Sequence, residues 1–214
     1  MDFSLGVCIL GDSSVGKSSF SLFLTTSKFN HKSIPTIGLE FAVKYFNIKK
    51  DNNDYKFKWN IWDTAGQEYY RSLVSSYYKN GTIIFIMFDL SDEKTFDSVD
   101  YWLKQLSDNG NGTKFIYLIG NKSDRPQKIN NSKINDYINL NNLKYYEISV
   151  KNNINIDKMI NEINNDIIDY INDNNIMKFE KKNIGIKFDN QKNLKIVKER
   201  DDCYTYSYSC CNII

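Results

Sequence analysis

The stretch GDSSVGKS, Gly11 to Ser18, constrains the fold of this chain more than any other. It fits the spacing G-x-x-x-x-G-K-S/T without a gap, and its flanks agree with it. The apolar run LGVCIL (Leu5 to Leu10) before it reads as a buried strand, and SSFSLFLTT after it reads as the opening of a helix. A loop at such a junction can turn its N–H groups inward around a phosphate. Glycines allow the close approach, and the helix N-terminus adds its dipole. The residues in play are Ser13, Ser14, Val15, Gly16, Lys17, Ser18 and Ser19: Lys17 would reach the outer phosphates, and the Ser18 hydroxyl is a hard oxygen ligand for Mg²⁺. The bland alternative is a glycine-bounded turn before a helix. The loop implies a nucleoside triphosphate and leaves the base open.

The rest of the pattern predicts an α/β sheet. Phe41 to Ile48 and Tyr55 to Trp62 read as a hairpin around KKDNND, with Tyr55, Phe57, Trp59 and Ile61 on one face and Lys56, Lys58 and Asn60 on the other. IIFIMF and FIYLIG are continuous apolar runs, as expected of parallel strands covered on both faces, and YYEIS reads as a last strand. Phe96, Val99, Trp102, Leu103 and Leu106 recur at helical spacing and predict one crossover helix. Ile156, Met159, Ile160, Ile163, Ile167 and Ile171 predict another, from about residue 155 to 172. Asparagine-rich stretches such as INNSKINDYINLNNL read as tolerated surface bias, at home in turns. In such a sheet ligands sit at the carboxyl ends of the strands.

Two further stretches follow strands and so fall on the same rim as the phosphate loop. In GNKSD (Gly120 to Asp124) the Asp124 carboxylate can accept both the N1–H and the 2-amino group of guanine, whereas adenine offers it no matching donors. In WDTAGQE (Trp62 to Glu68) Asp63 is placed to hold Mg²⁺ through water, Gly66 can offer its N–H to a γ-phosphate, and Gln67 has the amide needed to orient an attacking water.

GDSSVGKS, Thr36 in PTIGLEF, DTAGQE, NKSD and ISVK, in this order and spacing, resemble the five nucleotide-contact motifs of Ras-like small GTPases, over Leu5 to about residue 172. IGLEF, YYKNG and the double cysteine near the C-terminus resemble the Rab family within them. The resemblance implies a P-loop NTPase fold: a six-stranded, mostly parallel mixed sheet flanked by helices, spanning residues 1–174, with a flexible tail at 175–214. It implies slow hydrolysis of GTP to GDP and phosphate, with Mg²⁺ as cofactor, and a switch that recruits effectors in vesicle traffic. By motif match Thr36 is the threonine that binds Mg²⁺ and the γ-phosphate, and Phe29 packs against the base. Asn121, Lys122 and Asp124, with Ser149, Val150 and Lys151, form the guanine loops. Gln67, Lys17 and Thr36 carry catalysis, and Phe41, Trp62 and Tyr77 are the aromatic triad offered to effectors.

Four departures stand out. Val150 replaces the usual alanine, and Ser14 sits where many relatives carry glycine, which matters if a positive φ is needed there. Pro35 restricts Ile34 to extended conformations, and the hairpin has a few extra residues at its tip. No loop arginine stands out as an internal finger, so a GTPase-activating protein is expected to supply one.

The cysteines point the same way. Three of four, Cys203, Cys210 and Cys211, lie in the last twelve residues, with no histidine cluster to make a zinc site of them. Cys8 reads as a buried strand residue. Cys210 and Cys211 resemble a Rab-type prenylation site, and two lipid chains anchor where one holds only marginally. That resemblance places the protein on the cytoplasmic face of an intracellular membrane, with a soluble GDP-bound pool, and implies exchange factors, prenyl-transfer machinery and a GDP-dissociation inhibitor as partners. The charges, 28 basic against 26 acidic, leave no footprint for nucleic acid, and the domain is expected to be monomeric. Two rival classes share the phosphate loop: a scaffold that binds nucleotide without turnover, and a metabolic kinase, for whose acceptor pocket and lid no sequence is evident.

Overall fold

The computed structural model describes residues 2–31, 36, 39–64, 81–109 and 115–173. Six strands form one sheet: β1 (Asp2–Leu10), β2 (Leu39–Lys50), β3 (Asn53–Thr64), β4 (Ile83–Asp89), β5 (Phe115–Asn121) and β6 (Lys144–Glu147). Their order is β2-β3-β1-β4-β5-β6; β2 and β3 are antiparallel and every other pairing is parallel. The described helices are α1 (Lys17–Thr26), α2 (Glu93–Asp97), α3 (Val99–Asn109), α4 (Asn131–Leu140) and α5 (Ile156–Asp173). None of them is long and apolar enough to cross a membrane.

The two-residue period of the strands sorts the core into two layers. Leu5, Val7, Ile9, Ile83, Phe85 and Met87 face one side, where Phe20 of α1 and the isoleucine stripe of α5 cover them. Cys8, Leu10, Ile84, Ile86 and Phe88 face the other, under Phe96, Val99, Trp102 and Leu106 and under Ile134 of α4. This is why β4 is buried along its whole length and reads as an unbroken apolar run. Along β3 the alternation holds up to Asp63: Tyr55, Phe57, Trp59 and Ile61 are all buried, with less buried residues between them. Each such side chain contributes about 1.5–3 kcal/mol by leaving water.

Two expectations need correction and one helix is added. The crossover is two helices: the Asp92 side chain accepts from the Lys94 N–H to start α2, and the chain passes through Ser98 before α3 begins. The stripe survives the break because Phe96, Val99, Trp102 and Leu106 stay buried across it, while Leu103 is only half-buried. The asparagine-rich stretch keeps Asn131, Asn135 and Asn139 exposed, as a surface bias should, but it forms a helix, α4, that the periodicity did not mark. The Asn130 side chain caps it by accepting from the Ser132 N–H at 2.9 Å, and Ile134 fastens it to the core. The extra hairpin residues do not enlarge the tip. They extend an unbroken ladder from Leu39↔Thr64 to Lys50↔Asn53, closed by Asp51 and Asn52 at φ 51 and 61. The long hairpin reaches α5, where Lys50 pairs with Asp169 and the Tyr55 hydroxyl donates to Asn172 at 2.9 Å.

Candidate functional site

The carboxyl ends of β1, β3, β4 and β5 deliver Gly11, Asp63, Asp89 and Asn121 to one rim of the sheet. Two glycines of the loop after β1 have no substitute. Gly11 sits at φ 137, and a Cβ there would lie 2.2 Å from the Met87 carbonyl oxygen. Gly16 sits at φ 106, and its Cβ would lie 2.3 Å from the Asn121 side-chain nitrogen. Ser14 adopts φ 64, so the left-handed conformation is required there and a serine adopts it. Lys17, the first residue of α1, is 5% exposed and donates its ammonium to the carbonyls of Gly11 at 2.9 Å and Asp12 at 2.7 Å. Burial lowers its pKa to about 8, with Asp63 and Asp12 pulling the other way.

Beside this loop lies a carboxylate that no well-formed hydrogen bond satisfies, with the Ser18 and Thr36 hydroxyls close by. Both oxygens of Asp63 are buried and neither is in hydrogen-bonding geometry. Burial pushes its pKa up to about 6, and the Ser18 and Thr36 hydroxyls and Lys17 offset part of that rise. The Ser18 and Thr36 hydroxyls are themselves hydrogen-bonded to each other. Among the described residues no group of three or more His, Cys, Asp and Glu is gathered as a metal site. An orphaned buried carboxylate next to two hydroxyls fits a hard, oxygen-liganded cation such as Mg²⁺.

The opposite end of the rim is a network. The Asn121 side chain donates to the Val15 carbonyl at 2.8 Å and accepts from the Val150 N–H at 3.3 Å. Lys122, at φ 66, bonds the Ser14 carbonyl at 2.7 Å and the Asp89 carboxylate at 2.6 Å. Burial raises the Asp89 pKa, but Lys122 and Ser91 overcome it and the net shift is downward. The Ser149 hydroxyl donates to Asp124 at 2.6 Å, fixing one carboxylate oxygen, and in turn accepts from the Asn152 N–H.

Between these ends runs a cavity of about 630 Å³. Ser13, Ser14, Gly16, Lys17, Ser18, Ser19, Phe29, Thr36, Asn121, Lys122, Asp124, Val150 and Lys151 line it, all of them singled out by the sequence. Val15, Ser149 and Asp63 do not line it. The Val15 side chain is buried and leaves only its main chain to the site, and Ser149 acts through Asp124. Gly66, Gln67, Tyr77, Cys210 and Cys211 lie outside the described residues, as do Ile34 and Pro35. Phe41 is 58% exposed, with its ring centroid 6.0 Å from that of Trp62.

Sequence reasoning missed Asn30, His31, Thr64 and Arg125, which also line the cavity. Thr64 lies inside the WDTAGQE motif and Arg125 directly follows GNKSD, which was the available signal. His31 meets Phe29 edge to face at 5.1 Å, and no spacing pointed to it. Asp89 was also missed, because its partner Lys122 lies 33 residues away in the chain.

The sequence model of the Ras family matches residues 6–169. The GTP-binding protein ypt3 of Schizosaccharomyces pombe is 36% identical over 73% of this chain and 72% of its own length. Ras-related protein Rab-5B of Plasmodium falciparum is 33% identical over 76% and 77%, and Ras-related protein RABA1h of Arabidopsis thaliana is 35% identical over 76% and 73%.

Proposed function

This chain belongs to the Rab branch of the Ras family and is a GTPase; from that premise we propose how its residues bind and hydrolyse GTP and what the hydrolysis switches. One observation carries the reading: the phosphate loop and the Asp124–Ser149 pair close opposite ends of a single cavity, with Asn121 and Lys122 tying one to the other.

The loop N–H groups from Ser13 to Ser19 cradle the phosphates, and Lys17 neutralises charge on the outer ones. Asp124 accepts two hydrogen bonds from guanine, Phe29 covers the base, and the Val150 and Lys151 main chain completes the rim. Ser18 and Thr36 would hold Mg²⁺ directly and Asp63 would hold it through water; when bound, the ion offsets negative charge on the phosphate oxygens. Gln67 orients a water in line with the γ-phosphorus. The water oxygen bonds to that phosphorus, the bond to the β-phosphate oxygen breaks, and GDP and phosphate leave. With no arginine of the chain assigned to the γ-phosphate, turnover is slow until an activating protein supplies one, worth roughly 10³ to 10⁵ in rate.

Thr36 and Gly66 meet the γ-phosphate only while it is present, so hydrolysis releases the segments that carry them. Effectors read the GTP form over Phe41, Trp62 and Tyr77. The protein works as a switch in vesicle traffic, tethered to a membrane by prenyl groups on Cys210 and Cys211, with an exchange factor and a GDP-dissociation inhibitor completing the cycle.

Titration of the purified chain with a fluorescent guanine nucleotide, with GTP and ATP as competitors, tests the core of this reading. GTP should displace the probe and ATP should fail at roughly 10⁴-fold excess. Single-turnover phosphate release, abolished in Gln67→Leu with binding intact, separates hydrolysis from mere binding. Equal competition by ATP, or phosphate appearing on a small-molecule acceptor, would overturn it.

A further inference from the structure

The phosphate loop contains one acidic residue, Asp12, in a place where a triphosphate is to lie. A carboxylate free to swing into the cradle would repel the ligand across a few ångström of low-dielectric protein. Asp12 is half-buried yet does not line the cavity. A tether on it comes from the far side of the sheet: the indole Nε1 of Trp102, on α3, donates to Asp12 Oδ1 at 3.2 Å across 90 residues of sequence. Trp102 is 2% exposed and packed in the layer with Phe96, Val99 and Leu106, so its ring has little room to move. The same Asp12 presents its main-chain carbonyl to Lys17 at 2.7 Å. Fixing the side chain therefore also fixes the carbonyl that orients the ammonium. A neutral donor on a charged acceptor is among the stronger hydrogen bonds a side chain makes.

We propose that Trp102 is a positioning residue for nucleotide binding: its indole N–H holds the Asp12 carboxylate outside the phosphate cradle and aims the Asp12 carbonyl at Lys17. This rests on the guanine-nucleotide reading above. The core packing of the tryptophan ring and its tether are separable, because phenylalanine keeps an aromatic ring in the layer and deletes only the N–H donor and part of the volume.

The test is a double-mutant cycle on the full chain, read by stopped-flow release of a fluorescent GDP analogue in excess Mg²⁺. Trp102→Phe should speed release about tenfold in the wild-type background. In an Asp12→Ala background, where neither a charge to be held away nor an acceptor for the indole N–H remains, the same substitution should change release by about twofold or less. An equal effect in both backgrounds would reduce Trp102 to packing and overturn the proposal, as would no effect in either. Wild-type protein that binds no guanine nucleotide would instead bring down the underlying reading, and this proposal with it. Should Trp102→Phe fail to fold, the indole N–H resonance of Trp102 in ¹⁵N-labelled chain replaces it. That resonance must shift in Asp12→Ala, and an unmoved signal overturns the tether.

Discussion

Asn121, the last residue of β5, donates its side-chain amide to the main-chain carbonyl of Val15 at 2.8 Å, joining two loops that are 106 residues apart. Its amide oxygen simultaneously takes the Val150 N–H. One buried amide thus spaces the phosphate end of the cavity from the base end, and Gly16 is bare of a side chain because that amide fills the space. Asn121→Ala would leave the Val15 carbonyl and the Val150 N–H buried and unpaired. Each orphan costs about 1–3 kcal/mol. Urea unfolding of the nucleotide-free chain should show that loss, and GTP affinity should fall by about tenfold or more. A variant with wild-type stability and affinity would mean that the two loops hold their spacing without this residue.

Asp124 should set the base. Its carboxylate is held by the Ser149 hydroxyl at 2.6 Å, which leaves its remaining lone pairs for a ligand. In Asp124→Asn the amide presents a donor where guanine also presents donors. GTP affinity should fall about 10²-fold or more, at about 1.5–3 kcal/mol for each bond to the lost charge. Xanthine carries a carbonyl in place of the 2-amino group, so XTP should gain what GTP loses. Competition titrations with GTP, XTP and ATP decide it; a variant that weakens all three equally would point to a collapsed site.

Most of this architecture was legible because each layer writes its own period into the chain. Continuous apolar runs marked β4 and β5, alternation marked β3, and the stripe from Ile156 to Ile171 marked α5. The site was legible where chemistry demands fixed spacing, from Gly11 to Ser18 and from Asn121 to Asp124. What escaped is tertiary. α4 has mediocre intrinsic propensity and owes its existence to a cap at Asn130 and one buried anchor, Ile134. The break at Ser98 leaves the helical stripe in register and so is invisible to periodicity. Asp89 and His31 join the site or its support through folding alone, and no local pattern announces them.

Acid should loosen the rim through Asp89. Burial alone would raise its pKa, but hydrogen bonds from Lys122 and Ser91 bring it below the usual 3.8. A group depressed in the folded state contributes stability that is present above the unfolded value and lost as pH falls through the folded one. Below 3.8, therefore, the wild type should shed this contribution, and Lys122 should lose its grip on the carboxylate while keeping the Ser14 carbonyl. Asp89→Asn lacks the titration. Compared by urea unfolding over about pH 2.5 to 6, the variant should be less stable than wild type at the upper end, and the gap should close toward the lower end. A gap that stays constant with pH would show that Asp89 contributes nothing through its charge.

Ser14 is where the phosphate loop holds strain. At φ 64 its Cβ crowds the backbone, a conformation that costs an L-residue roughly 1–2 kcal/mol and glycine almost nothing. Against that gain stands the greater freedom of glycine in the unfolded chain, about 0.5–1 kcal/mol, so Ser14→Gly should stabilise the domain by about 0.5–1 kcal/mol net. The Lys122 bond is to the Ser14 main-chain carbonyl and survives the change. For a chain of this size the gain amounts to about 1–4 °C in Tm. Ser14→Val should move the other way, because a β-branched side chain tolerates this region least. Scanning calorimetry of the two variants without nucleotide separates strain from side-chain contacts. Strain orders them glycine, serine, valine from most to least stable, whereas a serine hydroxyl that earned its place through bonding would put the wild type on top.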